Sequence, residues 1–305
     1  MTKSVVVVAF ALAILAYAED ATDDKLKLLV RDRKASQAEL GRKLFHDPIL
    51  SANGKVACAT CHIPDRGYTS YGKPLDYVDG SASRRRAPSV IGVAGNKLFD
   101  WDARTTTLEA KVLQPITHPK EMGYPTLDAA LARVKETYPT ITSSAELAHA
   151  LGTFLTTLTH PRTRWDDYLA GSGNLSADEL RGFELFRGKA ECYRCHTGTA
   201  FTDNKTHNTG VGIVQRTDGT RYTYDLGRKE VTKEAMDTCA FKTPGLRGCK
   251  VAGPYMHDAS LKTLRAVIDF YDVGGFANVH LDKHIRPLQL TEQQKADLLA
   301  FLEAL

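Results

Sequence analysis

Apolar positions in this chain recur with helical spacing, and strand-type alternation is scarce. Leu264, Val267, Ile268 and Tyr271 share one face of a segment running from Thr263 to Asp272 and stopping at Gly274-Gly275. Helices are likewise expected from Thr126 to Tyr138, from Ser143 to Leu158 and from Thr291 to Leu305. The last two open on Ser143-x-x-Glu146 and Thr291-x-x-Gln294, where a hydroxyl and a longer polar side chain can cap each other's backbone donors. Between these segments lie two long stretches, 63–100 and 198–262, rich in Gly, Pro, Asp and Thr. Such stretches hold their shape when a large bound group orders them.

One pattern occurs twice. Ser36-x-x-Glu39 opens a helix that leads to Leu44-Phe45, and Ser176-x-x-Glu179 opens another that leads to Leu185-Phe186. Shortly after each comes a cysteine pair: Cys58-Ala59-Thr60-Cys61-His62 and Cys192-Tyr193-Arg194-Cys195-His196, with first cysteines 134 residues apart. Two thiols at this spacing can each add to one vinyl group of the same porphyrin while the adjacent imidazole turns under the ring to bind iron, which is the attachment sequence for c-type haem. A zinc site or a thioredoxin-like pair needs no His after the second Cys, and neither explains the duplication. The expected fold is therefore all-α, with two cytochrome c-like haem domains and long ordered loops. A leader would occupy residues 1–18, a first c-type haem domain 19–170 and a second c-type haem domain 171–305, divided at Gly171-Ser172-Gly173.

Composition adds three constraints. The run Val5 to Leu15 behind Lys3, ending in Ala16-Tyr17-Ala18, reads as a cleavable secretory signal, so the mature chain would begin near Glu19 and work in the periplasm with no membrane span. A net charge of +4 over 305 residues gives no reason to expect nucleic acid, and Arg84-Arg85-Arg86 reads as a set of local anchors, with haem propionates among the groups they could hold. Cys239 and Cys249, outside the haem motifs, are expected to form a disulfide in an oxidising compartment.

Further motifs resemble those of the bacterial diheme cytochrome c peroxidase and MauG superfamily across most of the mature chain. Trp101-Asp102-Ala103-Arg104 is similar to its Trp-Asp-Gly-Arg segment, whose Trp lies between the haems. Pro115 and Glu121 match a distal-pocket Pro and the distal Glu. Phe241-Lys242-Thr243-Pro244-x-Leu246-Arg247 and Pro254-Tyr255-Met256-His257-Asp258 match its second-domain signature. The resemblance implies His62 on the first iron, and His196 with Tyr271 on the second, since Tyr271 stands where MauG has Tyr and the peroxidases have Met. A loop His that blocks the first iron in resting peroxidases corresponds to Val78, and no His occurs between His62 and His118. The first iron would thus be open to hydrogen peroxide, with Glu121 as acid-base group.

Two departures matter. Arg86 replaces the Asn that helps hold an inter-haem calcium, which leaves calcium open, with carbonyls near Ala252 and Pro254 and waters as the remaining ligands. Ala190 replaces a surface Trp that MauG uses toward its partner, so the route outward would run through Tyr193 or Trp165. The resemblance as a whole implies two covalent haems c and a MauG- or MbnH-like oxidase that stores two oxidising equivalents across both haems and takes electrons from a Trp of a periplasmic partner protein. The alternatives are a cytochrome c peroxidase fed by a small cytochrome or cupredoxin, with Met256 on the second iron, and a diheme electron carrier without catalysis.

Overall fold

The computed structural model describes residues 27–70, 80–81, 83–215, 217–219 and 221–305. The expected leader and Val78 lie outside the described residues. Ten helices occur among the described residues: α1 (27–46), α2 (Cys58–Cys61), α3 (Leu108–Thr117), α4 (Leu127–Thr137), α5 (Ser144–Thr157), α6 (Arg164–Leu169), α7 (Ala177–Arg187), α8 (Lys229–Thr232), α9 (Leu264–Asp272) and α10 (Glu292–Ala304). Strands are few and short. β1 (Thr206–His207) pairs antiparallel with β4 (Phe241–Lys242), and β2 (Ile213–Gln215) with β3 (Arg221–Thr223). The helical reading of the sequence holds, and no helix among the described residues is long and apolar enough to cross a membrane.

The capping signals explain where the helices begin. Ser143, Ser176 and Thr291 each accept from the backbone N–H three residues on, and Glu146, Glu179 and Gln294 return the bond. Ser36 differs. Helix α1 is already running at residue 27, so Ser36 lies inside it, its hydroxyl donating to Arg33 O while Glu39 pairs with Arg42. Nothing in the Leu-, Lys- and Arg-rich stretch before Ser36 interrupts the helix, so this capping box is not used.

Two separate hydrophobic cores form. The first gathers Leu44, Leu50, Ile116, Val134, Leu147, Leu151 and Phe154, and the second Phe186, Phe201, Ile268, Leu298 and Phe301. Each is organised by a helix crossing at a glycine. A Cβ on Gly41 of α1 would sit 2.0 Å from Ala150 O and 2.8 Å from Phe154 Cβ of α5. One on Gly182 of α7 would sit 2.0 Å from Asp297 O and 2.7 Å from Phe301 Cβ of α10. Only hydrogen fits at either crossing, and this lets the backbones touch. Helix α6 packs with the second core although it precedes Gly171, because Trp165 lies against Phe183, Phe201 and Phe301.

Charged groups tie the halves together. Arg85 makes a two-pronged pair with Asp225 at 2.6 and 2.7 Å and a further bond to Asp102. Arg84 grips Glu230 at 2.7 and 2.9 Å. The expected arginine anchors exist, and these two hold protein carboxylates across the junction. The expected disulfide does not form: both thiols are free. The Cys249 thiol donates to Leu302 O inside the second core at 3.2 Å, whereas the Cys239 backbone bonds to Leu226 in the lobe beside β3. Strand β4, pinned against β1, carries the chain away between them.

Candidate haem sites

Each Cys-x-x-Cys-His segment is a single turn whose cysteines are half-buried, the first of each pair packing on a core, followed by a histidine with a matching pair of supports. His62 Nδ1 lies 3.2 Å from Tyr68 O and 3.0 Å from Pro88 O. His196 Nδ1 lies 2.9 Å from Phe201 O and also bonds to Pro244 O. Tyr68 and Phe201 both hold a positive φ of 54°, which turns the carbonyl back onto the ring. A proton held on Nδ1 by carbonyls leaves Nε2 as the metal-binding nitrogen and fixes the plane of the ring. Burial lowers both imidazoles, His62 to about 4, so each is neutral at pH 7 and able to ligate. Burial pushes the thiols the other way, Cys58 and Cys192 to about 12 and Cys61 to about 11.

The first segment opens onto a cavity of about 890 Å³, toward the large end of the roughly 300–1,000 Å³ range of small-molecule and cofactor sites. Cys58, Cys61, His62, Trp101, Pro115 and Glu121 all line it. Helix α3 delivers the last two. Its C-terminus folds into a tight turn in which Met122 N donates to Pro115 O at 3.1 Å and Glu121 N to His118 O at 3.0 Å, so Pro115 and Glu121 face the same space. The Glu121 side chain is about one-third exposed, 3.7 Å from His118 Nδ1, and its charge is felt at Cys61. It therefore has a route to solvent and shares the cavity with the attachment turn.

Trp101 sits where the halves meet. Its indole N–H donates to Arg86 O at 2.9 Å, and its carbonyl accepts from Lys242 N at 2.7 Å. Its ring lies 6.5 Å from that of His257, which stacks on Phe241 at 3.6 Å. Ala103, two residues on, holds a φ of 56° in the position where the resembling motif has Gly.

Around the second segment the phenol of Tyr271 is within electrostatic reach of both Cys192 and Cys195. Burial raises it to about 12, while a hydrogen bond with the Thr209 side chain pulls it down. Met256 is elsewhere, on the wall of the first cavity. Tyr193, between the two cysteines, is 42% exposed; Trp165 is 7% exposed within the second core, and Ala190 is buried.

Sequence reasoning missed two groups. His207 is clamped between Asp282 at 2.6 Å and Asp203 at 2.8 Å, beside Cys195. Its imidazole is raised to about 10, first by Cys195 and then by the carboxylates. Cys195, Asp203 and His207 could together hold a metal ion, but a haem bound at Cys195 would consume that thiol. Lys242 lines the first cavity, lowered by burial to about 8. His207 lies in no recognisable motif and its partner Asp282 is 75 residues away in the chain, while Lys242 stands inside the second-domain signature but nothing in that motif places it in the first cavity.

The chain is similar to known proteins over most of its length. Residues 35–174 match a family model described as di-haem cytochrome c peroxidase. The chain is 36% identical over 281 residues to methylamine utilization protein MauG of Methylorubrum extorquens, covering 87% of this chain and 77% of the relative. It is 32% identical over 333 residues to a cytochrome-c peroxidase of Denitromonas iodatirespirans, covering 96% and 89%. Among solved structures, a MauG-like protein associated with microbial copper homeostasis superposes with a TM-score of 0.78 at 29% identity, covering 88% of each chain.

Proposed function

This chain belongs to the diheme cytochrome c peroxidase and MauG family of peroxide-dependent oxidoreductases, and we propose that within it the protein oxidises a tryptophan side chain of a periplasmic partner protein by long-range electron transfer. Two haems c, one on each Cys-x-x-Cys-His segment, would supply the iron that binds peroxide and the store of oxidising equivalents. Cys58, Cys61 and His62 would hold the first. Cys192, Cys195, His196 and Tyr271 would hold the second.

The residues then have distinct tasks. Glu121 takes a proton from one oxygen of hydrogen peroxide and returns it to the other, which leaves as water. Pro115 walls the same space. Trp101, fixed at both its indole N–H and its carbonyl, offers an aromatic bridge between the halves. Tyr193 is the exposed aromatic beside the second attachment turn and the exit toward a partner; Trp165 is too deep for that task. Reducing one peroxide to two waters takes two electrons and two protons, which is what a two-electron oxidation of the partner residue releases.

The observation that carries this reading is the setting of Tyr271, whose phenol is within electrostatic reach of the second cysteine pair, while Met256 lines the first cavity. A phenolate ligand favours oxidised iron and suits a store of oxidising equivalents, whereas Met favours reduced iron and suits a relay from a donor protein. The relatives that are cytochrome c peroxidases support a second reading, peroxide reduction fed by a small cytochrome or cupredoxin. Peroxide treatment of the holoprotein with its partner, followed by mass analysis, should show the partner's Trp modified. Tyr271→Phe should abolish that modification and change the second haem's spectrum. Rapid turnover with a reduced cytochrome, with the Tyr271→Phe spectrum unaltered, would decide for the second reading.

A further inference from the structure

The resemblance implies a calcium ion between the haems, and the residues here do not fit one. Where a side-chain oxygen ligand is needed, the chain places the guanidinium of Arg86, 6% exposed. Its Nη2 donates to Ala252 O at 2.7 Å and to the Thr69 hydroxyl. Ala252 O is one of the carbonyls a calcium would have called on, and here an N–H points at it. A calcium ion takes six to eight oxygen ligands, and a buried cation in their midst adds repulsion where a carboxylate would add attraction.

We propose that Arg86 is the cation of this junction: a guanidinium built into the chain replaces the inter-haem metal ion and positions Trp101. Four bonds from one residue meet there. The side chain binds Thr69 in the first half and Ala252 in the second. The backbone N–H donates to His257 O at 2.8 Å, and the backbone carbonyl receives the Trp101 indole at 2.9 Å. Among the described residues Arg86 has no salt bridge. Its Nε is buried without a partner, on a residue that lines the first cavity. A buried cation with a spare donor is matched by the carboxylate arms that any haem entering that cavity brings. This role depends on the reading of Trp101 as the bridge between the halves, whereas the metal content does not.

The test uses the wild-type holoprotein first. Elemental analysis after purification in calcium-containing buffer should find less than one calcium per chain, and chelator should shift neither the resting electron paramagnetic resonance spectrum nor either haem reduction potential. Arg86→Gln, which removes the charge and supplies an oxygen, should shift the two potentials and the Trp101 fluorescence, and Arg86→Lys should restore them in part. One tightly held calcium per chain whose removal changes the spectrum overturns the proposal, whether or not the variants fold. Unchanged potentials and fluorescence in folded Arg86→Gln overturn the positioning role. If instead these hold and the partner's Trp is still not oxidised, the functional reading fails while the cation assignment stands.

Discussion

The two halves of this molecule use one steric device and two different adhesives. In both, a glycine on the first helix admits the backbone and a Phe of the last helix, Gly41 against Ala150 and Phe154, and Gly182 against Asp297 and Phe301. In the first half the neighbouring positions are Leu40 and Ala150, and the crossing is apolar. In the second they are Arg181 and Asp297, joined at 2.9 Å with the carboxylate almost fully buried. The same divergence runs through the haem sites. Each histidine is oriented by its own pair of backbone carbonyls, yet the first lines a roomy cavity with Glu121, while the second attachment turn has the Tyr271 phenol within electrostatic reach of its cysteines. Duplication kept what fixes the helices and the ring planes. What changed is what decides reactivity.

The comparison can be broken most directly at Glu121. Glu121→Gln keeps size and removes the proton acceptor, so the rate of the peroxide reaction should fall by about 10²–10⁴-fold. The spectrum of the second haem should stay as it was; stopped-flow absorbance reads both. An unchanged rate would remove the functional distinction between the halves.

The shared steric device can be challenged next. Gly41→Val and Gly182→Val each force a side chain into backbone, and each should destabilise the protein by about 3 kcal/mol or more in urea unfolding, since overpacking costs roughly 1–3 kcal/mol even where neighbours yield. A tolerated substitution at one crossing only would show that the two are not equivalent.

A smaller effect separates the adhesives. The Asp297 carboxyl is lowered by its bond to Arg181, against burial, so its contribution to stability is present above the unfolded Asp pKa of about 3.9 and is lost as pH falls through the lower folded value. Hydrogen exchange should therefore quicken in α7 and α10 before α1 and α5 on acidification below about pH 4. Asp297→Asn should remove the difference in acid response. Simultaneous loosening of both crossings would contradict the assignment.

The smallest expected effect is at Ala103. Its left-handed backbone disfavours an L side chain, so Ala103→Gly should stabilise by about 0.5–1 kcal/mol, less what its buried methyl contributes, with Trp101 unmoved. Loss of stability would mean the methyl's packing dominates.

Much of this was legible in the residues. The haem motifs, three capping boxes, the face carrying Tyr271 and the cluster of Trp101, Pro115 and Glu121 were readable because each is a local spacing or a resemblance carried by short motifs. The glycines at 41 and 182, three residues before each Leu-Phe pair, were passed over, because their meaning appears only with the partner helix in view. The inference that failed, a bond between Cys239 and Cys249, assumed that nearness in sequence survives folding; β4 separates them. Ser36 misled for a related reason, since a cap signal stops no helix unless the residues before it do.

By itself, then, the sequence determined the helices, the two attachment turns and the side chains available to an oxidant, because these follow from periodicity, capping and covalent spacing within a few residues. The tertiary structure decided which residues share a cavity, that Arg84 and Arg85 hold carboxylates of the other half, and that Arg86 meets Ala252 across 166 residues of chain. Those contacts depend on how two separately buried cores dock, and the pairing of buried charge with distant carbonyls is settled only by that docking.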